Sequence, residues 1–239
     1  MSILSDIEQE RYHRQIIIPQ VGEEGQLKLR NASVLVVGAG GLGSPVLLYL
    51  AAAGIGRIGI VDNDVVDTGN LQRQVLYNTA DIGCKKAEAA SEKISLLNPH
   101  ICAKPFPVRL TKDNAGELLS GYDIAVDCCD NFATRYVLSD ATISAGIPMV
   151  YGAVFQFMGQ ASVFNHKGGP SYRTLFPEEM HAASDDNGAP PGVIGTLPGI
   201  IGSIEACEVI KLITGAGDTL SGRLLQIDAL SFRVEIISL

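Results

Sequence analysis

Gly38-x-Gly40-x-x-Gly43 and, two dozen positions on, Asp62 are the residues of this chain around which chemistry can be built. In such a fingerprint one glycine permits a tight turn, another lets the backbone close on a phosphate, and a third lets helix and strand approach. The helix N-terminus that follows offers unpaired N–H groups to the anion. An acid ending the next strand, as Asp62 ends Ile58-Gly-Ile-Val-Asp62, is spaced to grip a ribose hydroxyl. Downstream lie Asp64, Asn70, Arg73, Lys86, Asp130 and Asn131. A glycine fingerprint most commonly serves an NAD-dependent oxidoreductase, yet hydride transfer needs an apolar nicotinamide pocket and a proton donor, not this set of charges. Nucleotidyl transfer needs cations around a triphosphate and a carboxylate-held Mg²⁺, to offset the charge that builds on the phosphoryl oxygens. These residue types meet that need.

The fingerprint requires a strand before it and a helix after it. Val34-Leu-Val-Val37 is an apolar run leading straight into Gly38, and Ser44-Pro45 opens a helical stretch over residues 46–53, so with the strand at residues 58–62 a nucleotide-binding βαβ unit is expected. Residues 63–74 are too polar for a buried element and fall where the ligand crevice of an open α/β sheet lies. A helix opens at Lys85-Lys86 and stops at Asn98-Pro99; lysines there oppose the helix dipole, so either a phosphate holds them or the pair is simply exposed. A strand over residues 101–108 and a helix over 113–119 lead to a strand ending in Asp127-Cys128-Cys129-Asp130-Asn131. Asp127 and Asp130 are candidates for metal-phosphate work there, with capping of the helix over residues 133–145 as the alternative for Asp130. One more strand at residues 148–150 completes the alternation that marks a parallel sheet covered on both faces.

After Gly152 the pattern changes. Residues 153–157 and 161–164, joined by Met158-Gly-Gln160, read as an antiparallel hairpin, and residues 178–192 as a polar crossover loop. Residues 199–213 read as an apolar helix with Glu205, Glu208 and Lys211 off its buried face, and residues 223–227 and 232–237 as two last strands. At the other end, residues 3–14 suit a short amphipathic helix whose Arg14, taken alone, is a solvated surface group; a turn and brief helix follow from Gly22. The expected fold is α/β, a Rossmann-like doubly wound, mostly parallel sheet extended by C-terminal antiparallel strands. It is read as one domain over residues 1–239, with a nucleotide-binding part at about 30–150 and a β-rich part at about 151–239.

A net charge of -8 argues against nucleic acid as a partner. No apolar run approaches the roughly 20 residues of a membrane span, and the N-terminus lacks a basic region followed by an apolar core, so no membrane is expected and the cytoplasm is the expected location. Five cysteines, an odd number, point to reduced thiols, read as small buried or partly buried hydrophobes.

Several motifs together resemble the ThiF/MoeB/HesA family, relatives of ubiquitin-activating enzymes. They are Arg11-Tyr-x-Arg14-Gln15, Gly38-x-Gly40-Gly41-Leu-Gly43, Asp62-x-Asp64, Asn70-Leu-Gln-Arg73-Gln74, Gly83-x-x-Lys86, Asp127-Cys-x-Asp130-Asn131 and Gly199-x-Ile-Gly-Ser-x-x-Ala-x-Glu-x-Ile-Lys211. The resemblance implies a homodimer that uses ATP and Mg²⁺ to adenylate the C-terminal Gly-Gly carboxylate of a small ubiquitin-like sulfur-carrier protein, for thiamine or molybdenum-cofactor biosynthesis. It assigns Gly41 and its loop to the phosphates, Asp62 to the ribose, Asp130 to Mg²⁺, Asn70, Arg73 and Lys86 to the triphosphate, and Arg14 to the partner subunit's site as a finger. Asp64 is left between assisting the metal and ordering its loop.

The chain also departs from the family. Many members hold a structural zinc with two Cys-x-x-Cys pairs; Ser171-Tyr-Arg-Thr174-Leu stands at the first and the second is missing, so no zinc is expected. No cysteine lies in the crossover loop, so a separate sulfurtransferase or cysteine desulfurase is expected to attack the adenylate. The alternative is a non-catalytic docking subunit, which would have no use for Arg14, Arg73, Lys86 and Asp130 together. Phe155 and Phe157 of the hairpin could accept the carrier's sheet face, although such residues are more often core.

Overall fold

In the computed structural model, which describes residues 3–177 and 192–239, Ser5 caps α1 (Asp6–Ile16) reciprocally with Glu8, and α2 (Gly22–Asn31) follows. The apolar run before the fingerprint forms β1 (Ser33–Val37), whose last four residues are all buried, as suits the middle of a parallel sheet. Gly38 takes φ +98°, a conformation that strains any residue with a Cβ, and turns the chain towards α3 (Gly43–Ala53). A Cβ at Gly43 would run into the Gly38 carbonyl oxygen, so the last glycine of the fingerprint closes the turn onto the helix. Next come β2 (Arg57–Val61), α4 (Lys86–Leu97), β3 (Cys102–Phe106), α5 (Ala115–Leu119), β4 (Ile124–Asp127) and α6 (Phe132–Ala145). The second half holds β5 (Met149–Phe155), β6 (Met158–Phe164), α7 (Tyr172–Leu175), α8 (Thr196–Thr214), β7 (Arg223–Asp228) and β8 (Arg233–Ser238).

All eight strands make one sheet in the order β3-β2-β1-β4-β5-β6-β7-β8. The first five are parallel and the last three run antiparallel to their neighbours, as expected from the change of pattern after Gly152. On one face Leu47 and Leu50 of α3, Ile94 of α4 and Leu197 and Ile201 of α8 cover Val34, Val36, Ile58 and Ile60. On the other, Leu118 of α5, Tyr136 and Leu138 of α6 and Tyr172 of α7 cover Leu35, Val37, Met149 and Phe164. Tyr172 meets Tyr136, Tyr151, Phe164 and Phe176 at centroid separations of 4.9–5.8 Å, so the stretch from Ser171 to Leu175 is held by aromatic contacts, with Ser171 accepting from the Thr174 N–H.

Three expectations are corrected here. The strand at residues 148–150 and the first hairpin arm are one strand, β5, parallel to β4 through Met149–Tyr151 and antiparallel to β6 throughout. Gly152 looked like a break; it is a glycine because the Glu205 carboxyl lies where its Cβ would be. The hairpin turn falls at Gln156-Phe157 rather than at Met158-Gly-Gln160, with Gln156 at φ +52°. Finally, Glu205 and Glu208 point inward: they lie on the side of α8 packed against α3 and the sheet, while Ile200 and Cys207 take its outer side. Glu208 accepts the Leu220 N–H at 2.7 Å and pairs with Lys211, so it ties the loop before β7 to the helix. The expected crossover loop, residues 178–192, lies outside the described residues except for Gly192.

Candidate active site

The carboxyl ends of β1, β2 and β4 lie side by side, and the loops that leave them build the site. The Asp62 carboxylate binds the glycine loop directly: the Ala39 N–H donates to Oδ2 and the Asp64 N–H to Oδ1, both at 2.8 Å. Burial pushes the Asp62 carboxyl above its ordinary value, and those two N–H groups and the Lys86 charge offset part of that rise. Each carboxylate oxygen keeps lone-pair capacity for a further donor, such as a ribose hydroxyl. Around Gly41 the nearest side chains are Pro198, in the first turn of α8, and Arg73; a Cβ there would come within 3.2 Å of Pro198 and 3.6 Å of Arg73. Gly40 faces the Gln74 amide at 3.4 Å in the same sense. Bare backbone at Gly40 and Gly41 is therefore walled by a cation, an amide and the start of a second helix.

Arg73 Nη1 donates to the Gly69 carbonyl at 3.1 Å, and Asn70 accepts the Asp67 N–H at 3.3 Å in a reciprocal cap that shapes this loop. The two lysines at the start of α4 part ways. Lys85 is exposed beside Glu88, whereas the Lys86 side chain is only 7% exposed, with Nζ 3.1 Å from Asp64 Oδ2. The Tyr77 hydroxyl sits between the carbonyls of Ala39, at 2.8 Å, and Lys86, at 3.2 Å, pinning α4 to the glycine loop. No sequence signal singles Tyr77 out, because its role depends on two carbonyls far apart in the chain.

Asp130 is exposed just past β4, and the capping role falls to its neighbour: Asn131 Oδ1 accepts the Thr134 N–H at 2.9 Å. That leaves the Asp130 carboxylate, contacted only weakly by Asn131 Nδ2 at 3.3 Å, available beside the loop. A single exposed carboxylate suits Mg²⁺, which keeps waters and takes the rest of its ligands from phosphates.

Asp127 is not brought to the site. It is fully buried, its Oδ2 lying 3.3 Å from Arg135 Nε while its Oδ1 accepts the Cys129 N–H. Arg135 Nη2 in turn donates to the carbonyls of Cys129 at 2.7 Å and Gly152 at 3.3 Å, clamping the segment just past β4 to the middle of β5. Arg135 escaped the sequence reading because its partners come from three separate elements. Cys128 and Cys129 are buried, and burial pushes both thiols well up; Cys84, Cys102 and Cys207 are exposed, contrary to the reading of all five as buried or partly buried. They occupy a loop, an edge strand and the outer side of α8, where no element covers them.

Arg14 lies elsewhere. Its neighbour Gln15 donates to the Ala53 carbonyl at 3.2 Å, at the C-terminal end of α3, and that 11-residue helix separates it from the glycine loop by roughly 16 Å. At the tip of the β5–β6 hairpin Phe155 is 51% and Phe157 39% exposed, so neither is core.

Glu205 provides a test of the interior. Burial raises its carboxyl well above the ordinary range, with the Asp127 charge acting in the same direction. The folded chain keeps the Glu205 proton where the unfolded chain releases it, so the associated stability is complete below the unfolded value and is lost as pH rises. Glu205→Gln is expected to flatten the fall in urea midpoint between acidic and mildly alkaline buffer. An unchanged slope would show that Glu205 does not carry the effect.

A doubly wound sheet whose strand ends carry a glycine loop, a buried acid and a set of loop cations is a nucleotide-binding α/β domain. More particularly, the chain belongs to the ThiF family, whose model matches residues 12–239. It is 51% identical to the sulfur carrier protein adenylyltransferase of Thermus thermophilus over 95% of this chain and 86% of that one. It is 49% identical to the probable adenylyltransferase/sulfurtransferase MoeZ of Mycobacterium tuberculosis over 100% of this chain but 62% of the relative, and 46% identical to the SAMP-activating enzyme E1 of Haloferax volcanii over 95% and 84%. Among solved structures, Escherichia coli MccB with ATP superposes at a TM-score of 0.84 with 21% identity, over 99% of this chain and 73% of that one, which establishes the shared fold.

Proposed function

We propose that this chain adenylates the C-terminal Gly-Gly carboxylate of a small ubiquitin-like sulfur-carrier protein with ATP, for sulfur transfer in thiamine or molybdenum-cofactor biosynthesis. The observation that carries the reading is the placement of Arg73 and Pro198 around Gly41, with Lys86 at the start of α4 and Asp130 on the loop after β4. The likeness to adenylyltransferases of Thermus and Mycobacterium supports it. A carrier carboxylate oxygen attacks the α-phosphorus, the bond from that phosphorus to the bridging oxygen breaks, and pyrophosphate leaves with its electron pair. No proton moves, so no protein base or nucleophile is needed.

In this scheme Gly38, Gly40, Gly41 and Gly43 present backbone to the phosphates, Asp62 takes the ribose, and Asn70, Arg73 and Lys86 hold the triphosphate. Asp130 would hold Mg²⁺ beside Asn131, the metal supplying charge to offset that of the leaving pyrophosphate. Arg14 lies too far from its own loop to take part, which favours its use in a second subunit of a homodimer. Ser171 and Thr174 stand where zinc ligands would be, so we assign no zinc, and a separate sulfurtransferase or cysteine desulfurase would consume the adenylate. The nucleotide is handled by residues of about 30–150 and the carrier by about 151–239, within one domain.

The exposed hairpin tip is the carrier surface in this reading. Phe157→Asp is expected to abolish carrier binding while ATP still binds; normal carrier binding by the variant would remove the hairpin from consideration. The reaction itself is tested by exchange of labelled pyrophosphate into ATP with candidate proteins ending in Gly-Gly. Exchange that requires the Gly-Gly tail supports adenylation and names the carrier. A chain that binds ATP but catalyses no exchange with any carrier is a docking subunit instead.

A further inference from the structure

Asp64 and Lys86 make an unequal pair. The lysine side chain is 7% exposed and the aspartate side chain 61%, yet their charged atoms are 3.1 Å apart. Lys86 opens α4, where the helix dipole is unfavourable to a cation, and Asp64 supplies its one ion pair among the described residues. The backbone is built to keep them together. The Val65–Lys85 bridge lays the segment after β2 against the start of α4, the Lys86 N–H donates to the Asp64 carbonyl at 2.9 Å, and the Asp64 N–H is fixed by Asp62. Among the described residues the other hydrogen bond to the carboxylate comes from the exposed Asn63 amide at 3.3 Å.

We infer that Asp64 stands in for a phosphate on Lys86: it neutralises and aims the lysine while the site is empty of nucleotide and yields it when a polyphosphate arrives. This rests on the adenylation reading above. A carboxylate and a phosphate beside one ammonium repel each other, and burial decides which of the partners yields. The Lys86 side chain is buried, whereas the Asp64 side chain is mostly in water already and leaves at little cost. Asp64 is thus a positioning residue, and a competitor as well as a guide. When pyrophosphate departs, its carboxylate returns to Lys86 and assists release.

The inference sets Asp64 apart from a metal ligand and from a loop staple, and binding separates the three. Pyrophosphate and ATP are titrated into the full chain and its Asp64→Asn, Lys86→Met and doubly substituted variants, with Mg²⁺ and with EDTA, and no carrier. Asp64→Asn, which keeps the shape of the side chain, is expected to bind both ligands about three- to tenfold more tightly, with or without Mg²⁺. The gain is expected to vanish in the Lys86→Met background, which a purely structural role would not produce. Weaker binding only in the presence of Mg²⁺ would make Asp64 a metal ligand, and unchanged or uniformly weaker binding would make it a loop staple; either overturns the inference while adenylation stands. Failure of the unsubstituted chain to bind ATP would overturn both.

Discussion

Asp130→Ala is expected to lower carrier-dependent pyrophosphate exchange by about 10²- to 10³-fold, the usual cost of losing one electrostatic partner of the transition state. The thermal midpoint should stay within about 2 °C, because an exposed side chain that caps nothing contributes little to stability. Arg73→Ala should behave in the same way, since the one hydrogen bond its side chain makes among the described residues, to the Gly69 carbonyl, is at the surface. The pairing of a large kinetic loss with a small thermal one is the point: an Asp130→Ala enzyme that retains exchange would show that the metal is held elsewhere. One that loses exchange only because it unfolds would show that the loop after β4 is structural.

Arg135→Met is expected to do the reverse. It removes the cation beside the fully buried Asp127 and strips the donor from the carbonyls of Cys129 and Gly152, and breaking a buried pair from one side costs about 3–5 kcal/mol. For a chain of this size that is a fall of roughly 10 °C in midpoint. Adding Asp127→Asn should restore part of the loss, because the uncompensated charge is gone even though the carbonyls remain short of a donor. A single variant within about 1 kcal/mol of the parent would mean that the clamp adds little to the pairing of β4 with β5.

The parts of the fold legible in the sequence were those set by neighbours in the chain. The run from Val34 into Gly38 and the acid at the end of β2 are local signals, and strand, turn and helix formed where they pointed. Asn70, Arg73, Lys86 and Asp130 stand out by type, and they lie on the segments that follow β2 and β4, Lys86 at the first position of α4. What stayed hidden depends on contacts between distant segments. Gly152 resembled a strand end until Glu205 took up its missing side-chain volume, and Glu205 resembled a surface acid until α8 was enclosed. Asp127 and Asp130 look equivalent in sequence, but the first still belongs to β4 and points into the interior while the second has left the strand. Tyr77 and Arg135 support the site through backbone carbonyls, which carry no residue identity to read.

The wall that Pro198 gives Gly41 has a consequence for the order in which the protein becomes able to work. The fingerprint leaves the ribosome early, with β1 and α3, but α8 follows only after the whole of the hairpin. Gly202 rests against Pro45 and Leu42 so closely that a Cβ there would clash, so α8 seats directly on the first turn of α3. A nascent chain holding β1 to β4 therefore carries a nucleotide loop with one side open, and synthesis must pass α8 before the pocket exists. The nucleotide loop at the start of the chain is thus completed by a helix made near its end, so its last wall is in place only once α8 is seated on α3.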